Sequence, residues 1–244
     1  MPTVPLRPER CIVADDGYAT YNIWAHSTSL RELYRQRARD EAEEMTCAAQ
    51  AAELLSPRVA PGDCVLDIGC GSGHFFHSLR RRNIDARYHG IDATACLVDI
   101  GRAELPRFGL PADRLHVCRI EDFRGTADHV VCINVLSNID NYHKPLERLL
   151  HAAQKTLILR ESLAAESSTL YVRDRYLDDG VDLGVYVNTY AIGEVMDFIR
   201  ERGFAVETVV DRRTGGRPEN VIGHPHHWTF LVATKARAVP AAGS

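Results

Sequence analysis

Short apolar runs alternate with segments of helical period through the middle of the chain. The apolar runs predict five strands, at residues 64–68, 87–91, 115–118, 130–134 and 157–160. The segments between them predict helices at 74–82, 94–104 and 145–154, and Pro145 suits the first turn of the last one. Strands that alternate with helices are typical of right-handed βαβ units. The pattern therefore predicts an α/β fold with a parallel sheet.

The N-terminal quarter has a pattern of its own. Its first 28 residues are rich in proline and then in aromatic side chains. A single long helix is predicted from Leu30 to about Leu55, with the Ser29 hydroxyl and the Glu32 carboxylate as a capping box. We therefore expect residues 1–60 to form an arm and a helical lid outside the main domain.

The C-terminal third departs from the alternating pattern. Residues 162–190 have little helical period and are interpreted as an insertion that caps the sheet. A helix is predicted at 192–202, with Gly203 as its C-cap. Two β-rich stretches, “FAVETVVD” and “HHWTFLVATK”, then predict an antiparallel hairpin at the edge of the sheet. The main domain is expected to span 61–236, followed by a disordered tail at 237–244.

Composition and charge narrow the function. The net charge of -4 gives no basic surface of the kind that nucleic-acid-binding proteins carry. No apolar run approaches the ~20 residues that cross a bilayer, and no secretion signal pattern is present. Seven cysteines without a C-x-x-C pair favour reduced thiols over disulfides or a zinc site. We therefore expect a cytoplasmic protein with no nucleic-acid or membrane partner and no bound metal.

A glycine-rich turn lies between the first predicted strand and the next helix, in “CVLDIGCGSGHF”. Gly69, Gly71 and Gly73 permit positive φ and close approach of a ligand to the backbone, and the helix offers free N–H groups. A dinucleotide-binding turn would have a small residue where this chain has His74. The turn therefore predicts a nucleotide-like ligand and argues against a nicotinamide dinucleotide.

Two acidic residues flank this turn. Asp92 ends the second predicted strand, where a carboxylate is placed to accept both hydroxyls of a ribose. Its alternative role is to cap the helix that follows. Asp67 comes just before the glycines and is expected to hold a cationic group of the ligand.

Four segments together resemble a known family. “VLDIGCGSGHF” resembles the first motif of class I S-adenosylmethionine-dependent methyltransferases, and “GIDAT”, “CRIEDF” and “VVCINVLSNI” resemble the motifs at the next three strands. The resemblance covers about residues 45–235. It implies S-adenosylmethionine as the cofactor. It also implies a Rossmann-like, seven-stranded, mostly parallel sheet with helices on both faces, a C-terminal antiparallel hairpin and an N-terminal helical lid.

The resemblance also implies the cofactor contacts. They are Gly69, Cys70, Gly71 and Gly73 at the methionine part, Asp92 and Ala93 at the ribose, Ile120, Glu121 and Asp122 at the adenine, and Asn134 and Val135 beside the sulfonium. Arg119 stands where many relatives have an aspartate. Asn138 stands where relatives often have a histidine, and an asparagine can orient a substrate but cannot act as a base. Arg37 is expected to reach the cofactor carboxylate if the long helix covers the pocket.

Methyl transfer from a sulfonium is an in-line displacement, so a protein supplies mainly alignment and the exclusion of water. A base is not required; if one acts, Glu161 and His224 are the candidates. Substrate contacts are expected beyond the carboxyl edge of the sheet, from Tyr18, Tyr21, Trp24, Asn138, Arg160, Tyr171, Tyr186 and Asn188. Their structural alternatives are packing for the aromatic side chains and an ion pair of Arg160 with Glu161.

The function that follows is methyl transfer to a polar small molecule, with an oxygen, nitrogen or carbon acceptor left open. The alternatives are a protein or nucleic-acid methyltransferase on the same fold, a non-catalytic S-adenosylmethionine-binding protein, and a nicotinamide-dependent oxidoreductase. A homodimer is the assembly to test.

Overall fold

A computed structural model describes residues 22–236. Within this range the helices are α1 (Thr28–Ala38), α2 (Thr46–Leu55), α3 (Phe75–Arg81), α4 (Ala95–Glu104), α5 (His143–Ala152) and α6 (Ile192–Glu201). The strands are β1 (Cys64–Ile68), β2 (Arg87–Asp92), β3 (Leu115–Val117), β4 (Ala127–Ile133), β5 (Ala153–Ala164), β6 (Tyr171–Arg173), β7 (Gly184–Tyr186), β8 (Tyr190–Ala191), β9 (Phe204–Val210), β10 (Glu219–Val221), β11 (His224–His226) and β12 (Trp228–Lys235). In the described part of the chain, no helix has the length and apolar character of a membrane span.

Seven strands form the central sheet in the order β3-β2-β1-β4-β5-β12-β9, and β8 pairs with the end of β5. The strands from β1 to β5 are parallel, and β12 is antiparallel to both of its neighbours. The predicted α/β class and the mostly parallel sheet are confirmed. The predicted C-terminal strand pair is also confirmed, but only β9 lies at the edge, because β12 inserts between β9 and β5.

Successive side chains of a strand point to opposite faces of the sheet, and here they enter two separate cores. In β1, Leu66 and Ile68 pack with α5 and α6, whereas Val65 packs with α2, α3 and α4. Helices therefore cover both faces, as predicted. The parallel strands are buried between these layers. Their carboxyl ends, where the loops begin, are the place where such a sheet presents polar groups to a ligand.

The prediction of one long lid helix over 30–55 is wrong, because α1 and α2 are separate helices. Asp40 has a φ of 60°, and the N–H of Glu41 donates to the carbonyl of Gln36 at 2.9 Å. This is the geometry with which a left-handed residue ends a helix. Aspartate tolerates that conformation better than most side chains, so the charged run after α1 turns the chain instead of continuing the helix.

Two smaller expectations also need correction. The Oγ of Ser27 accepts the N–H of Leu30 at 3.3 Å and caps α1, a role expected of Ser29. Cys118 is disulfide-bonded, although its thiol was expected to be reduced. Five other cysteines are free, as expected: Cys47, Cys64, Cys70, Cys96 and Cys132.

Residues 165–189, called the cap below, leave the sheet after β5 and return to it at β8. The cap starts later than the predicted insertion because β5 extends to Ala164. It contains the antiparallel pair β6–β7, and a second hairpin, β10–β11, precedes β12. Val185 and Val187 of the cap pack with Ile23, and Ile222 of the hairpin lies against this cluster. The cap, the start of the described chain and the hairpin therefore form one layer.

A buried ion pair connects β5 with the segment after β9. Arg160 Nε lies 2.7 Å from Asp211 Oδ2, and the two side chains are 3% and 0% exposed. The Asp211 carboxylate also accepts the N–H and hydroxyl of Thr214, and the Arg160 guanidinium lies 4.4 Å from the centre of the Trp228 ring. These additional partners offset the cost of removing two charges from water.

Replacing Asp211 with asparagine is expected to lower the free energy of unfolding by about 3–5 kcal/mol, since it leaves the buried Arg160 charge without a counter-ion. Urea unfolding followed by circular dichroism measures this. The matched control is Asp197→Asn, which breaks an exposed ion pair with Arg200 and should change the free energy by less than about 1 kcal/mol. Equal effects of the two substitutions would contradict a special role for the buried pair.

Candidate functional site

The turn after β1 consists of residues 69–73 and leads towards α3. Gly69, Gly71 and Gly73 have φ values of 77°, 55° and 74°, in the left-handed region that favours glycine. The N–H groups of Gly69 and Cys70 both donate to the carbonyl of Ile91, at 2.9 and 3.0 Å. The turn is thus fixed to the end of β2.

Two side chains approach this turn so closely that a Cβ would not fit. A Cβ on Gly69 would overlap Cγ2 of Val135, and a Cβ on Gly71 would overlap the ring of Tyr34. Val135 follows β4, and Tyr34 belongs to α1. The turn therefore lies between the loop after β4 and helix α1, and we call this space the cradle.

Asp67 lies at the end of β1, beside the turn. Its Oδ2 accepts a hydrogen bond from the Tyr88 hydroxyl at 2.7 Å. Burial raises the pKa of Asp67 to about 7, the neighbouring Asp92 adds to the shift, and the bond from Tyr88 opposes it. A cationic ligand group placed here would offset the cost of ionising this carboxyl group.

Asp92 is held through both of its oxygens at the end of β2. Oδ2 accepts the N–H of Gly71 at 2.8 Å, and Oδ1 accepts the N–H of Thr94 at 2.7 Å. Burial raises the pKa of Asp92, and these bonds oppose the shift. The N-cap of α4 is Thr94, so the alternative role of Asp92 as the cap is not observed. Each carboxylate oxygen can accept a second bond, as a ribose would require.

The predicted adenine segment forms a short 3-10 turn at residues 120–122. The N–H of Cys118 donates to the carbonyl of Asp92 at 2.8 Å, which places the segment next to the predicted ribose ligand. Ile120 belongs to the core that includes α5, and the two acidic residues after it are half-buried. The segment therefore offers an apolar and an acidic side to a neighbouring group.

Glu161, predicted as a base, instead holds residues 134–139, called the motif loop below. One carboxylate oxygen accepts the N–H groups of Val135 and Leu136, both at 2.9 Å. The other accepts the N–H of Ser137 at 2.9 Å and its hydroxyl at 2.8 Å. A carboxylate has about four acceptor positions, and all are filled here. Because Glu161 is also only 1% exposed, the prediction that it acts as a base is corrected.

Arg160 and Asn188, predicted as substrate ligands, are also committed to the fold. Arg160 pairs with Asp211, as described above, and donates a second bond to Asn134 Oδ1. Asn188 is fully buried, and its Nδ2 donates to the carbonyl of Ile139 at 2.6 Å. Their polarity serves the buried backbone and the buried ion pair, so the prediction of direct substrate contact is corrected for both.

Helix α1 contributes Arg37, which the sequence analysis predicted, and Tyr34, which it did not. The Arg37 guanidinium lies 5.2 Å from the centre of the Tyr34 ring, and the His74 ring meets the same ring edge-on at 5.5 Å. Burial lowers the pKa of His74 to about 3, so the ring is neutral, and its buried Nδ1 has no partner among the described residues. Tyr34 lies four residues before Ala38, and residues at this spacing share one face of a helix. Ala38 is buried, so this face of α1 points towards the protein.

The cap and the β10–β11 hairpin line an open cavity of about 770 Å³. Its lining is mixed, with charged and apolar side chains that include Arg173, Arg175, Asp178, Leu177 and Ile222, and with His224, the second predicted base.

The remaining residues that were predicted to contact the substrate lie in different environments. Tyr171 and Tyr186 form a cross-strand ring pair with centroids 4.9 Å apart, and Tyr171 is 63% exposed. Trp24 packs between the cap cluster and the core on the α2 side of the sheet. Asn138 donates to the carbonyl of Asn134 at 2.9 Å and is half-buried. Tyr18 and Tyr21 lie outside the described residues.

Helix α1 runs between this cavity and the glycine turn. The N–H of Thr28 donates to Asp178 Oδ1 at 2.7 Å, and Arg31 Nη2 lies 3.5 Å from the same carboxylate. Tyr34, which covers Gly71, follows Thr28 by six residues, or about 9 Å along a helix. The cavity and the turn are therefore held at opposite ends of one short helical segment.

The arrangement suits a ligand with a cationic group and a pair of hydroxyls, bound beside a separate polar chamber. Asp67 and Asp92 supply the acidic groups, and the glycine backbone supplies the surface for close approach. Within residues 22–236, no three His, Cys, Asp or Glu side chains are grouped so that they could hold a metal ion.

Residues 66–157 match a protein-family model that is described as a methyltransferase domain. This segment begins in β1 and ends in β5, so it includes the glycine turn, Asp92, the 120–122 segment and the motif loop. No curated protein sequence matches the chain.

Solved structures share the fold over most of the chain. Magnesium protoporphyrin IX methyltransferase from Synechocystis PCC 6803, with bound S-adenosylmethionine, is similar with a TM-score of 0.59 and 16% identity over 92% of this chain and 99% of that one. The 1,6-didemethyltoxoflavin-N1-methyltransferase from Burkholderia thailandensis, with its substrate and S-adenosylhomocysteine, gives a TM-score of 0.56 and 15% identity over 97% and 94%. Identities at this level show a common fold alone.

Gly69→Ala and Gly62→Ala form a matched pair that isolates the close contact with Val135. Both glycines have positive φ, 77° and 82°, but a Cβ on Gly62 would meet open space. The left-handed conformation should cost each variant about 1–2 kcal/mol, and the overlap at Gly69 should add about 1–3 kcal/mol. Urea unfolding measures both free energies. A Gly69 variant as stable as the Gly62 variant would show that the cradle has room for a side chain.

Proposed function

With residues 66–157 as a methyltransferase domain of the class I fold, for which S-adenosylmethionine is the cofactor, we propose that this protein methylates a polar small molecule bound in the cap cavity. The single observation that carries the acceptor part of the proposal is the polar chamber of about 770 Å³ at one end of α1. The other end of α1 covers the glycine turn. The proposed acceptor cavity and the glycine turn are therefore linked through α1.

The residues at the turn fit the cofactor. The backbone of Gly69 is exposed, and we assign the methionine part to the turn, beside Val135 and Tyr34. Asp67 is a buried acid whose raised pKa a cationic amino group would lower again. Asp92 retains acceptor positions for the ribose hydroxyls. We assign the adenine side to residues 120–122.

Three further residues complete the proposed cofactor site. Val135 of the motif loop would border the sulfonium, since it packs directly on Gly69. Arg37 and the unpartnered Nδ1 of His74 lie on the lid side, around Tyr34. A neutral histidine and an arginine are donors that suit a carboxylate, so we assign the cofactor carboxylate to this side.

The bound cofactor supplies an activated methyl group and its leaving group. This chain's residues then have to bind, align and exclude water, and alignment can account for about 7–11 kcal/mol of barrier reduction. Glu161 has no free acceptor position, which leaves His224 as the proposed base where an acceptor needs to lose a proton. Its support is its place in the cavity lining.

The nature of the cavity favours a small acceptor over a macromolecule. Arg173, Arg175 and Asp178 line it together with apolar Leu177 and Ile222, which suits a polar molecule with an apolar part. The net charge of -4 weighs against a nucleic-acid substrate. The cytoplasmic location remains a prediction, since five cysteines are free but Cys118 is disulfide-bonded. The homodimer remains a prediction.

Titration calorimetry with S-adenosylmethionine and S-adenosylhomocysteine tests the cofactor assignment. Both should bind the wild type, and Asp92→Asn should bind about 10- to 100-fold more weakly, because hydrogen bonds to a charged group are lost. The control Asp99→Asn changes an exposed residue on α4 and should leave both affinities unchanged. Absence of binding by the wild type at millimolar cofactor would refute the proposed function.

Asp67→Asn tests the buried acid through pH. The folded-state pKa of Asp67, about 7, is above its ordinary value, so the stability that its bound proton provides is complete below about pH 4 and lost as pH rises to about 7. The loss is of the order of 4 kcal/mol. The variant should therefore unfold at higher urea than the wild type at pH 8, and the difference should shrink towards pH 5.

The same Asp67 variant should bind S-adenosylhomocysteine more weakly, since it no longer offers a charge to the amino group. Asp85→Asn, at an exposed position, is the control and should show neither effect. A pH 8 stability equal to that of the wild type would contradict the assigned charge cost.

A further inference from the structure

The motif loop has its hydrogen-bonding groups divided between two neighbours. Its N–H groups at Val135, Leu136 and Ser137 all donate to Glu161 at the end of β5. Glu161 is thus the partner of the loop on the sheet side. Because Glu161, Leu136 and Ser137 are buried, water cannot replace these partners, and displacement of the loop would leave buried groups unsatisfied.

The carbonyl groups of the same loop are bound by the end of the cap and the start of β8. The backbone N–H of Asn188 donates to the carbonyl of Ser137 at 2.9 Å, and its Nδ2 donates to that of Ile139 at 2.6 Å. The Tyr190 hydroxyl donates to the carbonyl of Leu136 at 2.7 Å. The loop is therefore held from opposite sides by the sheet and by the cap.

The first turn of the motif loop is also the wall of the cofactor cradle. Val135 packs on Gly69 so closely that there is no space for a Cβ between them. The hydrogen bonds of Asn188 go to Ser137 and Ile139 of the loop, to Leu170 and to Tyr190. Asn188 therefore acts on the cradle through the loop that it holds, since Val135 belongs to that loop.

We propose that Asn188 and Glu161 are positioning residues that fix Val135 against Gly69, so that the affinity for the cofactor depends on the placement of the cap. The inference rests on the proposed function, because it concerns the binding of that cofactor. Since the cap also lines the proposed acceptor cavity, the same loop couples the two sites. Coupling of binding free energies is reciprocal, so the cofactor in turn orders the cap.

Asn188→Ala and its neighbour variant Thr189→Val separate this role from a general loosening of the cap. Both residues are buried. The Thr189 hydroxyl bonds to Ser162 on β5 at 2.7 Å and not to the motif loop. Asn188→Ala should raise the Kd for S-adenosylhomocysteine about tenfold, as expected for the loss of the buried side-chain hydrogen bond that Asn188 makes to the motif loop. Thr189→Val should bind like the wild type, even if both variants melt at lower temperature.

Titration calorimetry well below the melting temperatures gives the Kd values, and hydrogen exchange gives a second readout. In the wild type, saturation with S-adenosylhomocysteine should slow amide exchange across residues 165–189, and in Asn188→Ala this protection should be reduced. If Asn188→Ala does not fold, Tyr190→Phe, which removes a single hydroxyl from the loop contact, takes its place with a Kd a few times that of the wild type. Glu161→Gln should weaken binding from the sheet side.

The outcomes distinguish the two proposals. A wild type that does not bind S-adenosylhomocysteine refutes the proposed function, and this inference falls with it. A wild type that binds, with Asn188→Ala at the same Kd and the same protection, refutes the positioning role alone. Equal weakening by Thr189→Val also refutes it, since the effect would then belong to the cap as a whole.

Discussion

The packing of Val135 and Tyr34 against two glycines without space for a Cβ is the contact on which the rest of the site depends. Glycine has the most conformational freedom to lose, so three left-handed glycines in one turn are costly. Here that cost is offset by burial and by backbone hydrogen bonds to the end of β2. The missing side chains let Val135 and Tyr34 come close, so that Gly71 is buried while the backbone of Gly69 stays exposed. In the proposed function, the turn binds the cofactor only while the motif loop and α1 stay in place.

The polar residues around this turn divide into two kinds by how far their hydrogen bonds are satisfied. Glu161 and Arg160 lie in β5 and Asn188 lies in the cap, and their hydrogen bonds go to other groups of the fold. They hold loop backbone and a buried counter-ion, which would otherwise lack partners away from water. Asp67 and Asp92 differ, because their oxygens keep open acceptor positions. The number of open acceptor positions therefore distinguishes polar residues that hold the fold together from polar residues that suit a ligand.

The proposed reaction requires few catalytic side chains. Glu161, one of the two predicted bases, is fully hydrogen-bonded to the motif loop. A displacement at a methyl group needs two bound molecules in line and little water between them. Helix α1 connects the cap cavity to the glycine turn, through Asp178 at one end and Tyr34 at the other. The motif loop connects the cap to Val135, which packs on that turn. Both connections are contacts between distant parts of the chain, so the two halves of the site form together.

The sequence by itself determined the α/β class, the position of β1 to its exact ends, the glycine turn and the acids beside it. These follow from local rules, since a strand has a period of two, a helix has a period of 3.6, and left-handed turns favour glycine. The local rules failed for the lid, where helical period continued past Asp40 but one left-handed residue ended α1. They failed for Glu161, Arg160 and Asn188 as well. A polar side chain at the end of a strand has the same sequence pattern whether it faces a ligand or a buried carbonyl. Only the tertiary structure decided between these roles, because the partners of Glu161 are 24 to 26 residues away and Ile139, a partner of Asn188, is 49 residues away. No local pattern specifies contacts over such separations.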